Sequence, residues 1–107
     1  MWLFTNRGFV SIVQDRDNNG NLLVRARVKS HLQALFAEAV VTEIQDADYR
    51  YRTTVHRKIV EQVVSEQVYA IDYCNFKNTV SDPAYHEACL RVWSAMHQLQ
   101  RQQSVPL

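Results

Sequence analysis

Two hydrophobic rhythms divide the chain. Up to about residue 56, one helical stretch near 30–39 aside, the apolar positions run in short β-rich stretches with period two; beyond it they recur every three to four residues. In NLLVRARVK (21–29), Leu22, Val24, Ala26 and Val28 fall on one side of a strand. Leu23, Arg25, Arg27 and Lys29 fall on the other, so the first set is expected to face the core. Residues 2–4 and FVSIVQD (9–15) are rich in β-branched and aromatic residues and read as two more strands, with Asn6, Arg7 and Gly8 turning between them. DRDNNGN (15–21) is the clearest hairpin signal, and Asn19-Gly20 predicts a type I′ turn, which needs positive φ at both central positions.

Ser30 is a candidate N-cap for a helix whose apolar stripe is Leu32, Leu35, Phe36 and Ala39. VVTEI (40–44) fits either a short strand or the exit from that helix, and Asp46 and Asp48 mark a turn. From Tyr49 to Val55 alternation returns, with Tyr49, Tyr51, Thr53 and Val55 opposite Arg50, Arg52, Thr54 and His56; the two tyrosines are expected to face inward. Helical spacing follows over 57–71 through Ile59, Val60, Val63, Val64, Val68 and Ile71. The segment DYCNFKNTVS predicts a short helix capped by Asp72. Asp82-Pro83 then marks a helix start, aspartate at the N-cap and proline at the first helical position, ahead of the stripe Tyr85, Cys89, Val92, Trp93, Met96 and Leu99. The element order β-β-β-α-β-α-α predicts the α+β class: an antiparallel sheet of three to four strands with helices packed on one face. The expected organisation is a single domain over 1–103 with a frayed tail at 104–107.

Length and composition support that reading. A chain of 107 residues, 47% hydrophobic and 21% charged, can bury a core without a disulfide or metal. Only two glycines and two prolines leave little room for a glycine-rich phosphate cradle. No apolar run approaches a membrane span, and the opening lacks a signal-peptide pattern, so a cytoplasmic protein with free Cys74 and Cys89 is expected.

The net charge of +1 is unremarkable, but its distribution is uneven. Arg7, Arg16, Arg25, Arg27 and Lys29 outweigh Asp15 and Asp17 in the first strands, and Arg50, Arg52, Arg57 and Lys58 outweigh Asp46 and Asp48 around the later one. The expected helices are acidic instead. If helices cover one side of the sheet, Arg25, Arg27, Arg50 and Arg52 can gather on the other. The plain alternative is a solvated face neutralised by nearby aspartates. The functional reading is a docking surface for an acidic protein partner; nucleic acid is less favoured, because inward-facing tyrosines leave no stacking platform.

Other chemistry is sparse. His86 and Cys89 share a helix face, but two ligands do not make a metal site, and no metal or other cofactor is expected. There is no nucleophile elbow, HExxH or CxxC, so catalysis is not expected. The competing reading is a small enzyme or ligand-binding protein with a pocket near 73–86, using Tyr73, Asn75, Lys77, Tyr85 and His86. The last helix, with Trp93 and Met96, could instead pair with a second copy, making a homodimer the other expected assembly.

DYCNFK (72–77), DPAYH (82–86) and LRVWSAM (90–96), with SIVQDRD, LLVRARV and DADYRYR nearer the start, resemble a family of small single-domain bacterial and phage-encoded proteins. The resemblance spans most of the chain and implies no activity, cofactor or partner. His56 stands where that family's pattern has proline before the helix.

Overall fold

The computed structural model describes residues 1–104 and divides the chain into two compact units, 1–72 and 73–107. Apart from Ser104, which continues the last helix, the expected tail lies outside the described residues.

The first unit is a five-stranded antiparallel sheet with two helices on one face. Its strands are β1 (Trp2–Thr5), β2 (Gly8–Gln14), β3 (Asn21–Ala26), β4 (Thr42–Glu43) and β5 (Tyr51–His56), in the order β1-β2-β3-β5-β4. The α+β expectation holds, with the ambiguous VVTEI stretch supplying a two-residue fifth strand. Helices α1 (Lys29–Leu35) and α2 (Arg57–Tyr69) lay Leu32 and Val60 on Val10, Ile12, Val24 and Ala26, forming the buried core with Phe36. The register explains this choice of face: Ile12 lies opposite Val24, and Val24 opposite Thr53. One alternating set from each strand therefore meets the helices.

Local details depart from expectation. Lys29 already opens α1, Val28 is its N-cap, and Ser30 lies inside it; Val28, expected in the core, is exposed. The β2–β3 hairpin is where DRDNNGN placed it, but no described residue has positive φ, so the turn is not type I′. Instead Asn21 N–H bonds to Asn18 O at 3.1 Å, while the Asn18 side chain accepts from Gly20 N–H at 2.8 Å. The local Asx bond offers the backbone a turn that needs no left-handed residue. Arg57 clasps this loop to the start of α2, its guanidinium donating to Asn19 O at 2.9 and 3.2 Å.

Gly8 belongs to β2 rather than to the turn before it. A Cβ there would stand 2.7 Å from the His31 Cα and closer still to its side chain. That absence lets α1 sit tight on the strand, where His31 Nδ1 accepts from Phe9 N–H at 3.2 Å.

The second unit holds a 3-10 turn (Lys77–Thr79) and the long helix α3 (Pro83–Ser104). The expected short helix is this turn, and Phe76, not Asp72, precedes it. Asp82 caps α3 as the Asp-Pro pair predicts, its carboxylate accepting from Tyr85 N–H at 2.8 Å.

Candidate functional site

The sheet face opposite α1 and α2 gathers the arginines. The register puts Ser11, Arg25, Arg52 and Thr42 in one row across β2, β3, β5 and β4, with Trp2 on β1 completing it. The next row runs Phe4, Phe9 and, just past the end of β3, Arg27. Trp2 is 70% exposed and meets Phe9 edge-on at 5.9 Å, while Phe4 and Phe9 stack at 4.5 Å. An aromatic strip thus borders a cationic one.

Arg25 and Arg52 are direct cross-strand partners, an arrangement that like charges ordinarily disfavour. The 44–50 loop relieves it. Asp48 pairs with Arg52 at 3.4 Å, and Tyr49 O accepts from Arg52 Nε at 3.2 Å. Tyr49 places its ring 4.5 Å from the Arg25 guanidinium and 4.4 Å from that of Arg27. Arg25 also donates to Ser11 Oγ at 2.9 Å, which explains a fully buried serine on this face. Its Nε is buried with no hydrogen-bond partner.

Tyr49 was expected to face inward with Tyr51. β5 begins only at Tyr51, whose strand neighbour is Ala26 on the core side; Tyr49 precedes the strand and its ring meets the arginines instead. Alternation applies only where the backbone is extended and paired. Asp48 carries the only ion pair to this cluster among the described residues. Arg27 and Arg50 are exposed.

Beside this face, β5 outruns its neighbour. β4 pairs only with Tyr51 and Arg52, and beyond it a groove of about 990 Å³ opens between Thr53–His56 and residues 36–40. Ile59 and Leu23 add apolar walls, Arg52 and His56 polar ones. None of Tyr73, Asn75, Lys77, Tyr85 or His86 lines it.

Tyr73, Asn75, Lys77 and Tyr85 have local contacts in the second unit, and His86 lies half-buried on α3. Tyr73 and Phe76 rings lie 6.0 Å apart, and Asn75 Oδ1 accepts from Asn78 N–H at 3.4 Å. Lys77 Nζ sits 4.6 Å over the Trp93 ring. Tyr85 is buried beside Cys89; burial first, then the neighbouring thiol, pushes its phenol far above the ordinary tyrosine value. Burial likewise raises the Cys89 thiol, so it carries no thiolate at neutral pH. No cluster of three or more His, Cys, Asp or Glu able to hold a metal occurs among the described residues, and no helix there is long and apolar enough to cross a membrane.

Comparisons with protein-family models, with curated proteins and with solved structures find no match.

Proposed function

We propose that this chain is a non-catalytic binding module whose open sheet face docks an acidic protein segment. The observation that carries the reading is the set Arg25, Arg27 and Arg52, held together around Tyr49 with one carboxylate among them and an aromatic strip alongside. A guanidinium already oriented by a ring loses little freedom on meeting a carboxylate, and Arg is the side chain suited to bidentate pairing. The exposed Trp2 and the Phe4–Phe9 stack offer apolar contact beside the charges, so the fitting partner carries carboxylates next to apolar side chains.

Single-stranded nucleic acid fits less well. Tyr49 is buried beneath two arginines, and Phe4 and Phe9 stack on each other, leaving Trp2 as the one widely exposed ring of the strip. A run of stacked bases needs successive open rings.

The test titrates a glutamate-rich peptide with interspersed phenylalanines into a Trp93→Phe chain, reading Trp2 fluorescence, with oligothymidylate in parallel. Saturable peptide binding that weakens with salt and is lost in Arg27→Glu supports the reading. Arg27 is exposed, so its replacement leaves the buried core untouched. Peptide binding indifferent to that variant, no peptide binding, or saturable binding of the oligonucleotide instead, overturns it.

A further inference from the structure

The free end of β5 forms a second surface, independent of the arginine face. Two backbone bonds fix which way the peptide groups of this strand point. Arg57 N–H donates to Gly20 O at 3.0 Å, so odd-numbered residues of β5 direct their amides and carbonyls to β3. Ile44 N–H donates to Arg50 O at 2.8 Å, so even-numbered residues turn theirs to the β4 side. β4 ends its pairing at Arg52. Beyond it the N–H and C=O of Thr54 and the N–H of His56 open toward the groove of about 990 Å³, and no backbone bond from the described residues meets them.

Sheets ordinarily protect such an edge with a charge, a proline or a bulge. Thr53, Thr54 and Val55 offer none of these: the register to β3 runs unbroken, and all three side chains are β-branched, which favours an extended backbone. The two walls of the groove differ. Phe36, Ala39 and Ile59 stand on the helix side, while Thr54 and His56 stand on the open side with Leu23. Glu38 and Arg52 also line it, and Arg52 is already paired with Asp48, so the groove selects no net charge. These features specify the occupant. It must present N–H and C=O groups at the 3.3 Å repeat of a neighbouring strand, with apolar side chains toward Phe36 and Ile59 and polar ones toward Thr54 and His56.

We infer that β5 accepts an added strand: an uncharged, extended peptide segment, apolar residues alternating with hydroxyl-bearing ones, hydrogen-bonds to Thr54 and His56 and prolongs the sheet past β4. In this mode main-chain bonds supply affinity and the alternating side chains supply selectivity.

The probe is a hexapeptide of alternating valine and threonine, blocked at both ends, and the readout is amide hydrogen exchange of the full chain. Without peptide, Thr54 and His56 are expected to exchange fast, and Thr53 and Val55 slowly. Saturating peptide should slow exchange at Thr54 by about tenfold or more, whatever the salt concentration, which separates this site from the arginine face. Two further peptides, N-methylated on the valines or on the threonines, give the decisive comparison: one keeps the amides that face β5 and binds, the other blocks them and does not. Thr54→Pro removes a free N–H and no bond to β3, and should lose binding too. Should that variant not fold, the methylated pair reads the same contact. Two methylated peptides that behave alike, no binding of the parent peptide, or protection at Trp2 and Phe4 on the β1 edge instead, overturns the inference. So does protection of Thr54 that rises with protein concentration alone, which would mark a second copy as the occupant.

Discussion

The Arg25 guanidinium stands 4.5 Å from the centre of the Tyr49 ring, and its buried Nε has no hydrogen-bond partner. Tyr49 therefore stabilises a cation that its own strand pairing sets against Arg52. The contact reaches from β3 to the loop before β5, and it makes the cluster sensitive to one aromatic side chain.

Replacing Tyr49 with leucine keeps apolar bulk and removes the ring. With two guanidiniums losing their π partner, the expected loss is about 1–2 kcal/mol in urea unfolding. Tyr49→Phe keeps the ring face and is expected within about 0.5 kcal/mol of the parent. Equal losses in the two variants would show that packing, not the cation–ring contact, dominates.

Gly8→Ala places a Cβ against the backbone of His31, where no rotamer can yield. Helix α1 must shift off β2, lengthening the Phe9 N–H to His31 Nδ1 bond. A loss of about 1–3 kcal/mol is expected, as for other overpacked sites. Gly20→Ala is the control: its Cβ would meet only the Asn18 side chain, at 3.1 Å, and a much smaller change in unfolding midpoint is expected.

Alkaline pH should loosen the second unit. Tyr85 and Cys89 have folded-state pKa values raised above their ordinary values of 10.0 and 9.0. The unfolded chain thus releases these protons first, and the stability they contribute is complete below pH 9 and falls as pH rises above it. Stability measured across that range should decline in the parent and decline less in Tyr85→Phe/Cys89→Ala. In the same experiment a thiol reagent at pH 8 should modify exposed Cys74 at once and buried Cys89 only on unfolding.

Asp82→Ala removes the carboxylate that accepts from Tyr85 N–H at the head of α3. About 1 kcal/mol of stability should be lost, whereas Asp82→Asn or Asp82→Ser should recover most of it. Hydrogen exchange at Ala84 and Tyr85 reads the fraying directly.

Much of the architecture is legible in residue spacing. Alternation in NLLVRARVK separates Val24 and Ala26 from Arg25, and the structure keeps that division. Asp82-Pro83 locates the start of α3 to the residue. These features are local: period and capping depend on neighbours a few positions away, which the chain itself holds at fixed distances. Where local cues misled, a nearby competitor won, as the Asn18 side chain did over the left-handed turn that Asn19-Gly20 suggested.

Tertiary structure decided what spacing leaves open. That β5 lies between β3 and β4, that Gly8 meets His31, and that Tyr49 lies against Arg25 and Arg27 all join residues from distant elements. The sequence by itself put the arginines on one side of their strands; the sheet order made Arg25 and Arg52 neighbours, and the loop path supplied the ring and the carboxylate that let them stay so. Contacts of this kind depend on how whole elements settle against a shared core, and no periodicity along the chain encodes the trajectory of the loop between them.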